Sequence, residues 1–127
     1  MLRTAKCCCQ ACSITVEGEP VAHGLCHCAS CRRRTGSAFG WSVYFSDTSV
    51  VGRDGEMSVY RLAAPASAER WFCARCGTTL FWKAEAFAGV TGIAGGCFAD
   101  EPLGPPTFSA NGEGRRDWLD LPPALAG

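Results

Sequence analysis

An excess of charge of either sign is missing from this chain of 127 residues, in which 12 Lys and Arg balance 12 Asp and Glu. Balanced charge argues against a protein that coats nucleic acid or an anionic membrane. Long apolar runs are missing too: the longest weakly apolar stretch, from Ala86 to Ala99, is interrupted by four glycines, so no membrane span is expected. Since no apolar segment precedes the first cysteine, we expect no signal peptide and a cytoplasmic location.

Cysteine, by contrast, is abundant. The 10 cysteines predict either a disulfide framework or metal binding. They form three groups of close neighbours and one isolated residue: Cys7, Cys8, Cys9 and Cys12; Cys26, Cys28 and Cys31; Cys73 and Cys76; and Cys97. Thiols this close in sequence are poorly placed for unstrained disulfides with each other, whereas a tight turn can present two thiolates to one tetrahedral zinc ion. The spacings therefore favour metal ligation.

Short alternating segments between turns rich in Gly, Pro or Ala predict strands along most of the chain. The predicted strands are residues 13–17, 39–46, 57–62, 69–72, 78–83 and 87–93. Residues 29–34 are predicted to form a helical turn, and His23 is expected to be exposed on a strand. We find no repeat and no linker. The sequence therefore predicts one mainly β, antiparallel domain over residues 1–127, with a core at about 7–100 and a tail at 101–127.

Strand geometry indicates how four of the cysteines can meet. Side chains at positions i and i+2 of a strand point the same way, so Cys7 and Cys9 can face one ion together. Cys73 and Cys76 supply a second close pair. Four thiolates complete a tetrahedral zinc site of the structural type.

The remaining group has three ligands: Cys26, Cys28 and Cys31. Three protein ligands and an open position are typical of a catalytic zinc, whereas a fourth protein ligand would make the site structural. His23, Cys12 and Cys97 are candidates for that fourth ligand. The spacing alone does not choose between an open and a closed site.

Two longer segments resemble the signatures of a known family. Residues 26–37 read CHCASCRRRTGS and residues 72–80 read FCARCGTTL. They are similar to the patterns C-H-C-x-x-C-R-R-x-T-G-S and F-C-x-x-C-G-T-x-L of the glutathione-dependent formaldehyde-activating enzyme family, which includes centromere protein V. The order of the two signatures, the N-terminal C-x-C pair and the chain length also fit, so the resemblance covers most of residues 7–100.

The resemblance implies a β-tent-like fold with two zinc ions. By motif, the structural zinc would be held by Cys7, Cys9, Cys73 and Cys76, and a second, exchangeable zinc at the catalytic centre by Cys26, Cys28 and Cys31. The family name implies condensation of glutathione with formaldehyde to S-hydroxymethylglutathione, a reaction classed with carbon–sulfur lyases. The implied substrates are a small thiol such as glutathione and a small aldehyde, with no nucleic acid or membrane partner.

Residues after the third cysteine of this signature are candidates for substrate binding. Arg32 and Arg33 match the signature, and the planar fork of arginine suits a carboxylate of glutathione. Arg34 is expected at the surface. Donors for a developing oxyanion are predicted in the turn formed by Thr35, Gly36 and Ser37.

The chain departs from the family pattern in three places. Gln10 stands where a glycine usually follows the C-x-C pair. The additional thiols of Cys8 and Cys12 allow Cys9 and Cys12 to replace Cys7 and Cys9 as the ligand pair. Residues 108–110 read FSA and residues 117–118 read DW, where formaldehyde-activating members carry His-Ile-Trp and Pro-Trp elements. Two alternatives to an enzyme follow: a non-catalytic zinc module that binds glutathione or another thiol, and a structural interaction domain.

Overall fold

The computed structural model describes residues 1–100 and 103–126 and shows a mainly β protein, as predicted. Its strands are β1 Leu2–Lys6, β2 Ser13–Glu17, β3 Ala22–Cys26, β4 Gly40–Ser46, β5 Val50–Asp54, β6 Met57–Leu62, β7 Ala68–Cys73, β8 Thr79–Ala84, β9 Val90–Ala94 and β10 Phe108–Ala110. Within the described residues one α-helix, α1, spans Ala29–Thr35. Short 3-10 turns occupy Asp47–Ser49, Glu85–Phe87, Gly95–Cys97, Gly112–Gly114 and Pro123–Leu125.

The strands form two sheets. The smaller has the order β1-β2-β5, and the larger has the order β10-β3-β4-β9-β8-β7-β6. Neighbouring strands pair antiparallel, except that β10 runs parallel to β3, with Phe108 opposite Gly24. The tail thus supplies an edge strand that the sequence did not predict, and this strand gives the larger sheet one parallel pair.

All six predicted strands are present in the structure, some with shifted bounds. β2 and β6 have the predicted bounds, whereas β9 begins at Val90 because residues 85–87 form a 3-10 turn. The pattern missed β1, β3, β5 and β10. The predicted helical turn is α1, and residues 103–107 have no regular structure. Residues 101 and 102, at the start of the predicted tail, lie outside the described residues.

The hydrophobic core lies between the two sheets. Fully buried aliphatic side chains of β2, including Ile14 and Val16, pack with Val43 and Phe45 of β4 and with residues of β8 and β9. Three cysteine thiols belong to the same cluster: Cys7, Cys12 and Cys73. One of the predicted metal sites therefore lies at the margin of the core.

The expectation that His23 is exposed is wrong. His23 is buried on β3, where its Nε2 accepts a hydrogen bond from Trp41 Nε1 at 2.6 Å and the two rings stack. Burial lowers the pKa of the His23 imidazole below its ordinary value. A protonated Nε2 could not accept the Trp41 hydrogen bond.

We predict that His23 makes the fold less stable in mild acid. Because its pKa is lower in the folded protein, the unfolded chain binds more protons below the ordinary histidine pKa of about 6.5, and stability falls as the pH drops through that value. His23→Gln removes this titration while keeping an acceptor for Trp41. Urea unfolding at several pH values between 6 and 8 should show a smaller fall in the free energy of unfolding for the variant. An unchanged fall would contradict the prediction.

Gly95 allows the Trp41 ring to approach the backbone. A Cβ atom at Gly95 would lie 2.3 Å from the Trp41 ring, whereas one at Gly96 would meet nothing within 4 Å. The approach places the indole against the turn that follows β9.

We predict that Gly95→Ala destabilises the protein by about 1–3 kcal/mol through overpacking against Trp41. Gly96→Ala is the matched control, since the neighbouring position has open space. Chemical denaturation of both variants measures the difference. Equal stabilities for the two variants would show that Trp41 moves aside without cost.

Candidate metal centres

The first cluster joins the two sheets. Cys7 follows β1 of the smaller sheet, and Cys73 ends β7 of the larger sheet. Together with Cys9 and Cys76 they place four sulfur atoms within 4.8 Å of one another. Cys9 Sγ lies 3.7 Å from both Cys7 Sγ and Cys73 Sγ. The structure thus brings together the four cysteines predicted to hold the structural metal.

Local hydrogen bonds shape both halves of this cluster. Cys73 Sγ accepts hydrogen bonds from the N–H groups of Arg75 and Cys76 at 3.3 and 3.4 Å. Thr78 Oγ1 accepts the Cys8 N–H at 3.1 Å and lies 3.2 Å from Cys76 Sγ. The Thr78 hydroxyl and N–H are the main groups that lower the pKa of Cys76 to about 5. Thiolates stabilised in this way are the form in which cysteine binds metals.

The turn after Cys9 explains the first departure from the family pattern. Gln10 has φ 64°, the left-handed conformation for which glycine is the default residue. Cys12 N donates to Cys7 Sγ at 3.3 Å, so the turn closes around the cluster. Glutamine therefore occupies a backbone position suited to glycine without displacing the cysteines.

The donor set fits a tetrahedral zinc ion. Sulfur atoms about 2.3 Å from such an ion lie about 3.8 Å from each other, which agrees with the two Sγ–Sγ distances of 3.7 Å. Four thiolates this close repel one another unless a cation lies between them. Both geometry and charge are therefore consistent with a bound metal.

Cys12 and Cys8 lie outside this cluster. The Cys12 thiol is buried and donates to the Glu56 carbonyl at 3.2 Å, whereas Cys8 is exposed. These positions favour Cys7 and Cys9 over Cys9 and Cys12 as the ligand pair.

The second cluster lies at the junction of β3 and α1. Cys26 ends β3, Cys28 is the N-cap of α1, and Cys31 lies in its first turn. Their sulfur atoms lie within 4.8 Å of one another, and within residues 1–100 and 103–126 no His, Asp, Glu or further Cys joins them. Of the candidates for a fourth ligand, His23 is hydrogen-bonded to Trp41 and Cys12 to the Glu56 carbonyl. The described residues thus leave the fourth position without a protein ligand.

Neighbouring groups support the three sulfurs. Cys28 Sγ accepts the Cys31 N–H at 3.3 Å, and Cys26 Sγ accepts a hydrogen bond from Asn111 Nδ2 at 3.1 Å. Burial and the adjacent thiols raise the pKa of Cys31 to about 12. Burial also acts to raise the pKa of Cys28, but hydrogen bonds from Cys31 outweigh it and lower the value. Three adjacent thiolates would therefore need a cation to offset their repulsion, and a bound metal ion would supply it.

The three-cysteine cluster opens into a cavity of about 510 Å³, a size typical of small-molecule sites. Arg34 and Arg70 line it beside the cysteines, together with Tyr44 and Trp82. Among the described residues neither arginine forms an ion pair. The expectation that Arg34 lies at the surface is therefore wrong: its guanidinium stacks on Trp82, 4.3 Å from the ring centroid, and its Nη2 is buried.

Gly40 explains how Arg34 approaches the cluster. A Cβ atom at Gly40 would lie 2.7 Å from Arg34 Nη2 and 3.6 Å from Cys31 Sγ. Because Gly40 has no side chain, the Arg34 guanidinium and the Cys31 thiol can both lie against its backbone. Cys31 and Arg34 are three residues apart on α1, and this spacing places them on one helix face. The spacing of Cys31 and Arg34 in the sequence is therefore the signal that indicates their proximity.

The predicted substrate-binding residues lie elsewhere. Arg32 Nε donates to the His27 carbonyl at 3.1 Å, and Arg33 is exposed. Thr35 Oγ1 donates to the Cys31 carbonyl at 2.9 Å, Gly36 is the left-handed C-cap of α1, and Ser37 is exposed. None of these five residues belongs to the lining of the cysteine cavity.

The fold and the two thiol clusters define a mainly β protein built around two candidate metal centres. The chain belongs to the glutathione-dependent formaldehyde-activating enzyme family, whose sequence profile matches residues 2–111.

Two known proteins are also similar to this chain. An uncharacterised lyase of Schizosaccharomyces pombe is 34% identical over 77 residues, which are 61% of this chain and 54% of the relative. This chain thus matches about half the length of that relative. A crystal structure of a Rhodobacter sphaeroides protein has a TM-score of 0.66 at 20% identity and covers 85% of this chain and 99% of its own. The structural likeness shows that the two share a fold. No helix in the described part of the chain has the length and hydropathy needed to cross a membrane.

We predict that Cys9→Ala removes one metal equivalent per chain, whereas Cys12→Ala removes none. Cys9 lies 3.7 Å from two other sulfurs of the cluster, while Cys12 is bonded to a carbonyl. Loss of the structural metal should cost several kcal/mol of stability, and the small cavity left by Cys12→Ala about 1 kcal/mol. Elemental analysis of the purified variants measures the metal. Loss of one metal equivalent from both variants would instead assign the ligand pair to Cys9 and Cys12.

Proposed function

We propose that this protein is a zinc-dependent lyase that makes or breaks a carbon–sulfur bond between a small thiol and a small aldehyde. The observation that carries the proposal is the three-cysteine cluster facing a cavity of about 510 Å³ without a fourth protein ligand among the described residues. The family description names glutathione and formaldehyde, and the fission yeast relative is named a lyase. The reaction proposed by analogy is the formation of S-hydroxymethylglutathione.

Cys26, Cys28 and Cys31 would hold the zinc ion of the reaction. When bound, zinc supplies a Lewis acid that favours the thiolate form of a thiol and polarises an aldehyde. A site with three protein ligands leaves room for one more group. Hydrogen bonds from Asn111 Nδ2 and from the Cys31 N–H orient the sulfurs of Cys26 and Cys28. Groups around metal ligands commonly have this role.

Addition of a thiolate to an aldehyde forms a carbon–sulfur bond, breaks the π bond of the carbonyl and places negative charge on its oxygen, which then takes up the proton that the thiol has lost. Arg34 is the cationic side chain that lies beside Cys31, so we assign it the role of stabilising this charge. Five residues predicted to bind substrate lie outside the cavity, and their role stays a prediction: Arg32, Arg33, Thr35, Gly36 and Ser37. They could contact a substrate in the cavity only if α1 moved.

One observation favours a second candidate, a thiol-binding module without turnover. Within the described residues the cavity lining includes no imidazole or carboxylate to move a proton. His27 is fully buried, with its Nε2 2.8 Å from Ser109 Oγ. Proton transfer would then depend on the Tyr44 hydroxyl, on water or on the substrate thiol itself.

We predict that the zinc-loaded protein accelerates exchange between formaldehyde, glutathione and their adduct. Two-dimensional exchange NMR measures this rate against the uncatalysed one. Cys28→Ala should lose the acceleration while remaining folded, because the first cluster is intact. The control is Cys8→Ser, which changes an exposed thiol outside both clusters and should keep full activity.

The outcomes separate the two candidates. Acceleration that depends on Cys28 supports the lyase. Binding of glutathione in calorimetry, with an exchange rate no faster than in buffer, supports the thiol-binding module and removes the enzyme.

A further inference from the structure

The walls of the cysteine cavity are mainly apolar. Beyond the cluster most of the lining is apolar and includes Pro65 of the β6–β7 loop, Trp82 and Phe87 from β8 onward and Phe108 of β10, whereas Ser42 and Asn111 are among its polar members. Within the described residues no Asp or Glu lines the cavity. A ligand that fills this space is therefore surrounded mostly by carbon.

Two phenyl rings of this lining are exposed. Phe87 and Phe108 have 51% and 40% of their surface accessible. Phe108 lies directly over the β3 backbone, since a Cβ atom at Gly24 would stand 2.4 Å from its ring. Phe87 lies against Tyr44, with ring centroids 5.4 Å apart. Exposed apolar side chains grouped around a cavity mark a binding surface.

The charge of the cavity comes from two guanidinium groups. With a divalent metal in place, three thiolates leave one net negative charge, which Arg34 beside Cys31 can balance. Among the described residues the hydrogen-bond partner of Arg70 is the Ser30 hydroxyl, at 2.7 Å. Ser30 is exposed and uncharged. Arg70 is thus a cation on the cavity wall that has no acidic partner in the described part of the chain, and its fork suits one carboxylate.

Resting on the proposed function, we propose that the natural thiol of this protein is an apolar monocarboxylate, with an aromatic or branched body against Phe87 and Phe108 and one carboxylate on Arg70. Glutathione fits these walls less well. It carries two carboxylates, an ammonium group and two amides, whereas the described lining offers Arg70 for one carboxylate, with Arg34 placed beside the thiolates, and no acid for the ammonium. Burying charged groups without partners is costly. The apolar wall thus selects against a polar tripeptide.

The test is calorimetric binding to the zinc-loaded full chain in a thiol-free reductant, with four thiols compared. We expect para-mercaptomethylbenzoate to bind at least about tenfold more tightly than phenylmethanethiol, which lacks the carboxylate, and than mercaptopropionate, which lacks the ring. Glutathione should bind more weakly than para-mercaptomethylbenzoate. Glutathione affinity equal to or above that of the aromatic acid would overturn the proposal and leave the proposed lyase intact.

Variants locate the two contacts. Arg70→Gln should lower the affinity for para-mercaptomethylbenzoate about tenfold and leave that for phenylmethanethiol unchanged. Phe108→Ala should weaken both aromatic thiols and spare mercaptopropionate. Arg53→Gln is the matched control, because Arg53 lies outside the cavity lining. Equal losses for Arg70→Gln and Arg53→Gln would contradict the carboxylate site, and failure of every thiol to bind would also remove the proposed function.

Discussion

The structure depends on the convergence of four sulfur atoms between two sheets. Cys7 and Cys9 come from the hairpin of the smaller sheet, and Cys73 and Cys76 from the β7–β8 turn of the larger one. A chain of 127 residues has a limited core with which to hold two sheets together, and a metal bound at their junction adds folding free energy directly. Since Cys7 and Cys73 are themselves core residues, a metal bound by these sulfurs would stabilise the same region as the hydrophobic packing.

The second cluster uses the larger sheet for a different purpose. Cys26 pairs with Gly40 on the neighbouring strand, and β10 follows on the other side of β3, so that Asn111 reaches the Cys26 sulfur. The ligands are thus held by the sheet and by the first turn of α1, while their open side faces the cavity. In our proposal, the four-cysteine cluster at the sheet junction stabilises the fold, and the three-cysteine cluster beside the cavity carries the chemistry. Zinc as the metal and lyase activity are our proposals for that open centre.

Sequence reasoning succeeded where the information is local. The cysteine spacings predicted both clusters, and alternation predicted β2 and β6 with their bounds. It failed where the outcome depends on distant pairing. β10 forms because Phe108 lies opposite Gly24, 84 residues earlier, and no short pattern encodes that partner. His23 was assigned to the surface because nothing in its own segment indicates the Trp41 indole. Arg34 was missed for another reason: the adjacent Arg32 and Arg33 matched a motif, whereas helix geometry places Arg34 with Cys31.

The cysteines of the clusters and the residues of the cavity wall come from different parts of the chain, and this separation bears on how substrate choice can differ within one family. The candidate metal ligands lie in the N-terminal Cys7–Cys9 pair and in the two short signatures, and their close spacings suit coordination of one ion by neighbouring thiols. The cavity wall instead comes from the β6–β7 loop, the residues after β8 and the tail, and connecting segments of this kind tolerate change more readily than the sheet does. Residues 108–110 belong to the tail segment that departs from the family pattern, and Phe108 of that segment covers the β3 backbone at the cavity. A chain can therefore retain the ligands, and the chemistry they support, while its loops change the body of the thiol that it admits.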